Sequence, residues 1–395
     1  MPVVTRSSEV TLRVLERRSN RPVAEVPTWL GLEWTANLRR TGSGMLTVLM
    51  DDLPRDAIPF ITSGNAAIYA TREWWRPKPS GGSVLVRDEF WGRVGAFEVE
   101  ADKGHLARLS FNDNLAYLTD RVVDCDGIAR VDPGPVSAVA YIRQLLNRDL
   151  LAPTDGARAL DVPAVLSGPA GGGGTVDLPV RWKMLSDAVE RACYLGDVGV
   201  RAPVNASGQI AFEAFPVVDR TLGAADAVVL SQENTGSLLR VGRDWRAVKN
   251  RAIVLGAGVG AARAVTRRTD DPSRLSVGLR ETVIDARHLS ATDEYQARGD
   301  AELDERLAPG VVLEAHDADE PFDIRVGDRV TATEYFRTDS VSPDLGPEDV
   351  LCVSRTVRLA PGQRDLVRVE LGSEPLMLAA YLRGMAEEGS DSRLE

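Results

Sequence analysis

A hydrophobic strand that runs into glycines is the feature of this sequence most like a cofactor-binding motif. Residues 253–255, Ile-Val-Leu, are followed by Gly256-Ala257-Gly258-Val259-Gly260. A dinucleotide-binding loop needs a helix directly after its glycines and an acidic residue about 20 residues further on. Here the segment after the glycines is soon interrupted by Asp270-Asp271-Pro272. The pattern therefore predicts the turn of a β-hairpin rather than a nucleotide site.

Metal-ligating residues are few and poorly spaced. The histidines are His105, His288 and His316, and none has a second histidine at the spacing with which a helix presents two imidazoles to zinc. His316 with Asp317 and Asp319 could hold a cation weakly, but the run is more simply interpreted as an acidic loop between strands. It lacks the central glycine and final glutamate of a calcium loop. We predict no metal site and no cofactor.

Nucleophilic chemistry has equally little support. The sequence contains no Gly-x-Ser-x-Gly elbow, and Cys125, Cys193 and Cys352 are widely spaced, which predicts buried reduced thiols. A glycosidase needs two carboxylates at a set separation, and counting carboxylates alone does not reveal such a pair. No catalytic residue is predicted, and we expect a protein that is not an enzyme.

Two further motifs each allow both a functional and a purely structural interpretation. The pair Trp74-Trp75 stands just before Lys78–Gly82, a predicted hairpin tip. Such a pair could form a carbohydrate-binding patch, although aromatic residues near strand ends belong more often to a core or an interface. Asn205-Ala206-Ser207 matches a glycosylation acceptor, but with Gly208 it is interpreted as a turn between strands.

Length and charge exclude several classes of protein. A chain of 395 residues exceeds the roughly 250–300 residues at which one core stops growing, so several domains are expected. The net charge is −11 and no stripe of Lys or Arg is present, which argues against specific nucleic-acid binding. No apolar run approaches the ~20 residues of a membrane segment, and the first residues alternate like a strand rather than a secretory signal.

The periodicity predicts a mainly β protein with an α/β insertion. Two β-barrel-like domains are expected to flank a small α+β domain, with helices over about Trp182–Tyr194 and Thr292–Ala308. The four glycines Gly171–Gly174 are expected to form a mobile loop. The predicted domains are a first barrel (1–125), the insertion with its Gly-rich loop (126–227), a second barrel with one helix (228–375), and a C-terminal helix and polar tail (376–395). The predicted strands of the first barrel are Glu9–Leu15, Gly31–Asn37, Met45–Met50, Ala66–Thr71, Phe90–Glu100 and Ala107–Asn112.

Several phrases, taken in order, resemble the siphophage tail hub family, which is similar to the baseplate hub protein of contractile phages. They span about residues 30 to 335, and their order carries the resemblance rather than any single site. The phrases are residues 41–48 (TGSGMLTV), 91–94 (WGRV), 106–115 (LARLSFNDNL), 118–122 (LTDRV), 208–212 (GQIAF), 219–221 (DRT), 249–256 (KNRAIVLG), 282–287 (TVIDAR) and 322–330 (FDIRVGDRV).

The resemblance implies a structural subunit of a tail tip or baseplate hub. Three chains, each with two barrel-like domains, would form a homotrimeric ring that closes the tail tube and lets DNA pass. The implied partners are distal tail or tail tube proteins, tip, spike or fibre proteins, and as a further candidate the tape measure protein. The implied location is the virion tail, after assembly in the host cytoplasm. The alternatives are a tail-associated cell-wall hydrolase or a carbohydrate-binding tail module, for which Trp74-Trp75 is the pointer.

Overall fold

The structure is a computed structural model that describes most of the chain in two compact units. The described residues are 8–77, 83–100, 105–126, 128, 130–230, 238–244, 248–258, 262–287, 292–306, 310–316, 324–332, 348–363 and 365–371. The first unit comprises residues 1–239 and 314–369, and the second comprises residues 240–313 and 370–395. The predicted C-terminal helix and polar tail, 376–395, lie outside the described residues.

The described residues are mainly β-strand, which confirms the predicted fold class. The helices are α1 (Ile58–Thr62), α2 (Ala116–Thr119), α3 (Ala138–Leu146), α4 (Leu185–Gly196), α5 (Asp271–Val277) and α6 (Thr292–Arg306). The strands are β1 (Glu9–Glu16), β2 (Arg21–Glu25), β3 (Gly31–Asn37), β4 (Ser43–Leu49), β5 (Ala66–Pro77), β6 (Ser83–Glu100), β7 (Leu106–Asp113), β8 (Val136–Ser137), β9 (Ala164–Ser167), β10 (Thr175–Val176), β11 (Val198–Arg201), β12 (Ile210–Pro216), β13 (Val218–Arg220), β14 (Val229–Leu230), β15 (Leu238–Asp244), β16 (Arg251–Leu255), β17 (Val265–Thr269), β18 (Glu281–Asp285), β19 (Gly310–His316), β20 (Asp328–Ala332), β21 (Glu348–Leu359) and β22 (Leu366–Leu371).

The main sheet of the first unit has the strand order β22-β21-β3-β4-β7-β6-β5-β1-β2, and β20 pairs with the other end of β21. Alternate residues of these strands point into one core, which includes Leu12, Trp34, Leu46 and Phe111 from the N-terminal strands. The same core contains Val357 from β21. The N-terminal strands and β21 therefore build one hydrophobic core, because alternate side chains of all these strands point to the same face of one sheet.

Strand pairing does not follow the domain ranges expected from the sequence. Strand β21 falls within the expected second domain, 228–375, yet it pairs antiparallel with β3, from Ser354 opposite Asn37 to Leu359 opposite Leu32. Residues 314–369 also group with residues 1–239 in the first unit. The chain thus leaves strands β1–β7 after β7, and β21 returns to pair directly with β3.

Two glycines in the phrase TGSG are explained by crowding around β4. A Cβ at Gly44 would overlap the ring of Phe111, which crosses over β4 from β7. A Cβ at Gly42 would overlap the carbonyl oxygen of Thr35 and lie 2.7 Å from Asp113 Oδ2. Both positions require glycine because neighbouring strands approach too closely for a side chain.

The insertion contains helices α3 and α4 packed on small sheets, β8 with β10 and β9-β12-β11. Its core includes Ile142, Val189 and Phe212. Helix α3 begins at Ala138, where Ser137 Oγ caps it by accepting from the amide of Ala140 at 3.4 Å. Residues 136–137, just before the helix, form β8.

The loop Gly171–Gly174 is packed, contrary to its expected mobility. Its carbonyls accept hydrogen bonds at the start of α3, from Val139 N to Gly172 O at 3.2 Å and from Ala138 N to Gly174 O at 2.9 Å. A Cβ at Gly173, where φ is 73°, would overlap Val198. The glycines thus allow the loop to fit between the start of α3 and the end of α4, and these contacts offset the entropy of ordering it.

The second unit contains a three-stranded sheet, β17-β16-β18, covered by α6. Strands β16 and β17 are antiparallel, with Leu255 opposite Val265, and β18 is parallel to β16. Its core includes Val254, Ile284 and Tyr295. Helix α6 confirms the predicted helix at Thr292. Among the described residues, no helix is long and apolar enough to cross a membrane.

Candidate interaction surface

The long hairpin of β5 and β6 carries the tryptophan pair predicted from the sequence. The strands pair antiparallel from Ala67 opposite Arg93 to Pro77 opposite Ser83, which confirms a hairpin around the predicted tip. Strand β1 pairs with β5 only as far as Glu73, and β7 pairs with β6 only from Gly92 onward. Within the described residues, the distal part of the hairpin is therefore a two-stranded ribbon that extends beyond its sheet neighbours.

The outer face of the ribbon is apolar at its tip. Trp75 lies opposite Leu85, and the two side chains are 60% and 45% exposed. Directly opposite residues of an antiparallel pair share a face, so these two side chains form one apolar surface. We call Trp75 and Leu85 the tip pair. Sequence reasoning missed Leu85, although the three consecutive apolar residues 84–86, just after the predicted turn, were the available signal.

Charged and aromatic residues continue this face toward the sheet. Arg87 Nε lies 3.1 Å from Glu73 and 2.9 Å from Glu89. Arg87 also donates to Tyr69 Oη at 2.9 Å, and the Tyr69 ring lies 3.9 Å from that of Trp91. Burial raises the pKa of Tyr69, and the neighbouring Glu89 carboxylate raises it further. The tyrosine is therefore a neutral hydrogen-bonding group at neutral pH.

The inner face of the ribbon is held by a buried ion-pair network. Arg72 is 1% exposed, and its guanidinium lies 2.8 Å from Asp365, 3.2 Å from Asp88 and 4.0 Å from the centroid of the Trp74 ring. Arg355 of β21 also donates to Asp88, at 2.9 Å. Arginine suits this role because its planar fork binds several acceptors at once. The network links the ribbon to β21 and to the segment before β22.

No local sequence signal could have revealed this network. Asp88 is 16 residues from Arg72 and 267 from Arg355, and Asp365 is 293 from Arg72. The sequence allowed Trp74-Trp75 to be either an exposed patch or, more often for such a pair, part of a core or interface, and the structure separates the two. Trp74 is half-buried under Arg72, and Trp75 is exposed on the opposite face.

The glycine motif is a hairpin turn, as predicted. Gly256 N donates to Ala264 O at 2.8 Å, and Ala264 N donates to Ala257 O at 2.9 Å, which extends the β16–β17 pairing. A Cβ at Gly256 would overlap the ring of Tyr295, and Tyr295 Oη accepts a hydrogen bond from Ala257 N at 3.1 Å. The space that a dinucleotide phosphate would need beside Gly256 is thus filled by a side chain of α6.

The other candidate residues occupy structural positions or lie outside the described residues. All three cysteines are buried, as predicted. His105 is exposed and its carbonyl accepts from Met50 N at 2.9 Å, whereas His288, Asp317 and Asp319 are not described and His316 ends β19. Asn205 Oδ1 accepts from Ser207 N and Gln209 N, both at 3.0 Å, which confirms the turn. The described residues contain no cluster of three or more metal-ligating side chains.

Comparison with solved structures relates this fold to phage tail proteins. The 43 kDa tail protein of prophage MuSo2 from Shewanella oneidensis matches with a TM-score of 0.55 and 13% identity, over 93% of this chain and 99% of that one. A tail protein from Neisseria meningitidis MC58 matches with a TM-score of 0.52 and 12% identity, over 92% and 97%. The Francisella PdpA-VgrG complex in its lidded form matches with a TM-score of 0.52 and 11% identity, over 94% of this chain and 53% of that chain.

These likenesses show the fold of phage tail proteins, which is the fold that the resemblance in the sequence implied. Comparison with curated protein sequences gives no match. The sequence itself matches one family over most of its length. This chain belongs to the family described as Siphovirus ReqiPepy6 Gp37-like protein, which matches residues 11–342, and it has the fold of phage tail proteins.

Proposed function

We propose that this protein is a structural subunit of a phage tail tip or baseplate hub. Three copies would form a ring that closes the tail tube, carries tip or spike proteins and lets DNA pass during infection. The observation that carries the proposal is the coverage of the tail-protein fold, which accounts for 93% of this chain and 99% of the Shewanella protein. The shared fold thus takes up nearly all of both chains.

A structural rather than catalytic role fits the residues that sequence analysis singled out. In the glycine motif Tyr295 fills the space beside Gly256, and the described residues provide no cluster of metal-ligating side chains. Arg72, which is 1% exposed, forms with Asp88 an ion-pair network that holds two parts of the sheet together. Such networks fix geometry, and their charges are neutralised by their partners rather than directed at a ligand.

The charge of the chain supports a role in DNA passage. A net charge of −11 would give a closed ring an acidic character, and an acidic lumen repels the phosphates of passing DNA. In a ring of identical subunits, each copy uses one surface to contact the next copy and a different surface to contact the previous one. The ring closes because the rotation between neighbouring copies brings the last copy back to the first. The neighbour from Francisella is a complex of PdpA with VgrG, which supports the proposal that this chain also holds a partner protein.

The mass of the purified protein in solution tests the proposal first. Light scattering behind a sizing column should give a species near three times 42.7 kDa, and antibody labelling of virions should mark the tail tip. Peptidoglycan cleavage is measured on the same sample. A monomer that cleaves peptidoglycan, with no label on the tail, would instead identify a cell-wall hydrolase.

A further inference from the structure

We propose that Asp124, Asp149 and Arg158 form a pH-sensitive latch at the end of α3. The latch is closed while Asp149 carries a proton, and it then holds the short turn Gly156–Arg158 against the segment Val122–Asp126. Ionisation of Asp149 opens it. All three residues belong to the first unit, and the inference does not depend on the proposed ring.

Asp149 is a buried carboxyl group with too few partners for a charge. It lies in the π-helical turn Asn147–Leu151 that continues α3, and it is 1% exposed. Its Oδ1 accepts from Asp124 N at 2.9 Å, whereas Oδ2 is buried and has no hydrogen-bond partner among the described residues. The Arg158 guanidinium stays 3.9 Å from Oδ1. A carboxylate with so few partners is costly to bury, and the neutral acid costs much less.

Asp124 has the opposite surroundings. Its Oδ1 accepts from Asp126 N at 2.9 Å, and its Oδ2 accepts from Arg158 Nη1 at 2.6 Å. The hydrogen bond from Asp126 N and the charge of Arg158 hold the pKa of Asp124 below its ordinary value. The other terminal nitrogen of Arg158, Nη2, donates to Val122 O at 2.6 Å. Arg158 therefore closes the latch by binding an ionised carboxylate and a backbone carbonyl at once.

The two aspartates titrate in different pH ranges. Burial raises the pKa of Asp149 above its ordinary 3.8, and the nearby Asp124 carboxylate raises it further. The hydrogen bond from Asp124 N and the charges of Arg148 and Arg158 lower this pKa, but burial outweighs them. Asp124, Arg148 and Arg158 are the charged residues that face Asp149 in the described part of the chain. Over one range of pH, Asp124 is therefore ionised while Asp149 is neutral.

Ionisation of Asp149 disrupts this arrangement because the new charge has no partner in place. Arg158 can reach it only by leaving Asp124 or Val122, since each of its terminal nitrogens is already held at 2.6 Å. Arg148 is held as well, because it donates to the carbonyl of Asp124. Water can hydrate the buried Oδ2 only if the neighbouring chain moves away. Either route loosens the turn that carries Arg158.

The latch also affects how this part of the chain is fastened to the main sheet. Asp161 follows the turn by three residues, and its carboxylate lies 2.6 Å from Arg17 and 3.6 Å from Arg18, directly after β1. Partly exposed ion pairs of this kind contribute little stability by themselves. Release of the turn should therefore also loosen the contact with the β1–β2 hairpin.

The experiment measures amide hydrogen exchange of the full-length protein by mass spectrometry from pH 4.5 to 8, with rates corrected for the intrinsic pH dependence of exchange. The folded pKa of Asp149 is raised, so the protection of residues 152–162 should be highest at low pH. It should fall by up to ~10-fold per pH unit as the pH rises toward the folded pKa, and level off above it.

Two variants assign this pH dependence. Asp149→Asn carries a neutral amide in place of the protonated acid, so residues 152–162 should keep high protection at every pH. The control Asp177→Asn removes an exposed carboxylate of the insertion and should follow the natural protein. A pH profile of Asp149→Asn that matches the natural one would overturn the latch, as would a natural profile without pH dependence.

The role of Arg158 is tested separately. Arg158→Gln removes the charge that holds Asp124, so residues 152–162 should be weakly protected at every pH, and a natural profile in this variant would contradict the latch. Carboxyl-carbon NMR of the natural protein requires no variant. Asp149 should titrate at a higher pH than Asp124, and the reverse order would show the inference to be wrong. Circular dichroism confirms that each variant is folded.

Discussion

At the end of β7, the carboxylate of Asp113 accepts two backbone hydrogen bonds, from Gly42 N at 2.8 Å and from Leu115 N at 3.0 Å. It thereby fixes the turn before β4 against the turn after β7. Burial nevertheless raises the pKa of Asp113 to about 7, because the loss of water outweighs both hydrogen bonds. The ordinary pKa of an aspartic acid side chain is 3.8, so between about pH 4 and pH 7 Asp113 keeps its proton in the folded protein and loses it in the unfolded chain.

The sign of the resulting pH dependence follows from proton binding. Between pH 4 and pH 7 the folded protein binds one more proton at Asp113 than the unfolded chain does, so the free energy of unfolding falls as the pH rises. We expect the contribution of Asp113 to fall by up to ~1.4 kcal/mol per pH unit in this window and to level off above it. Urea unfolding of the natural protein and of Asp113→Asn, measured from pH 4.5 to 8, should show the steeper decline in the natural protein.

The exposed Asp51 provides the control for that measurement, because Asp51→Asn removes the same charge from a solvated position. The slope is the readout rather than the stability at one pH, since the asparagine also loses one of the two accepted hydrogen bonds. Parallel pH profiles for the natural protein and Asp113→Asn would show that the group is solvated in the folded state.

Single glycines show which residue-scale facts the sequence could supply. The turn around Gly256 was predictable, since the residues after it are too quickly interrupted for a dinucleotide fold. The contact that requires glycine at position 256 was not predictable, because Tyr295, which fills the space beside Gly256, lies on a helix that begins 36 residues later. The loop Gly171–Gly174 was expected to be mobile because ordering glycines costs conformational entropy. The neighbours of these glycines, such as Val198, are known only once α4 and β11 are in place.

At the scale of elements, hydrophobic alternation located most strands of the main sheet. The expected strand Gly31–Asn37 coincides with β3, and Glu9–Leu15 differs from β1 by one residue. Strand β2 was missed because it is short, contains Pro22 and is mostly exposed, as an edge strand protected against further pairing often is.

Helix α5 was also missed. Asp270 and Pro272 were interpreted as interruptions, whereas Asp270 caps the helix by accepting from Ser273 N at 2.8 Å.

The ion-pair network of the β5–β6 ribbon gives an element-scale prediction. Asp88→Asn leaves the buried guanidinium groups of Arg72 and Arg355 without one of their compensating charges, and we expect it to lower the free energy of unfolding by about 2–4 kcal/mol. The neighbouring Glu89→Gln is the control. Glu89 lies on the outer face with a side chain 36% exposed, and its loss should cost no more than ~1 kcal/mol. Thermal and urea unfolding of both variants measure the difference, and equal costs would contradict a buried network.

At the scale of the whole molecule, the return of the chain to its first sheet was the feature that the sequence could least reveal. Local periodicity identifies β21 as a strand but contains no information on its partner, and β3 lies more than 300 residues earlier. The expected ranges, 1–125 and 228–375, assumed that neighbouring strands in sequence pair in space, which is the usual tendency. The pairing of β21 with β3 instead makes the N-terminal strands depend on residues more than 300 positions later in the sequence.

This dependence predicts that a change in β21 destabilises the N-terminal strands. Val357 is fully buried opposite Trp34 of β3, so Val357→Ala leaves a cavity in the shared core and should cost about 2 kcal/mol. Amide hydrogen exchange through global opening should then accelerate ~30-fold in β3 and β4, although the substitution lies over 300 residues away. Arg358→Ala on the opposite face of β21, where the side chain is 62% exposed beside Glu33, is the matched control and should change exchange less than threefold. Unchanged exchange in β3 and β4 of Val357→Ala would mean that the N-terminal strands fold without β21.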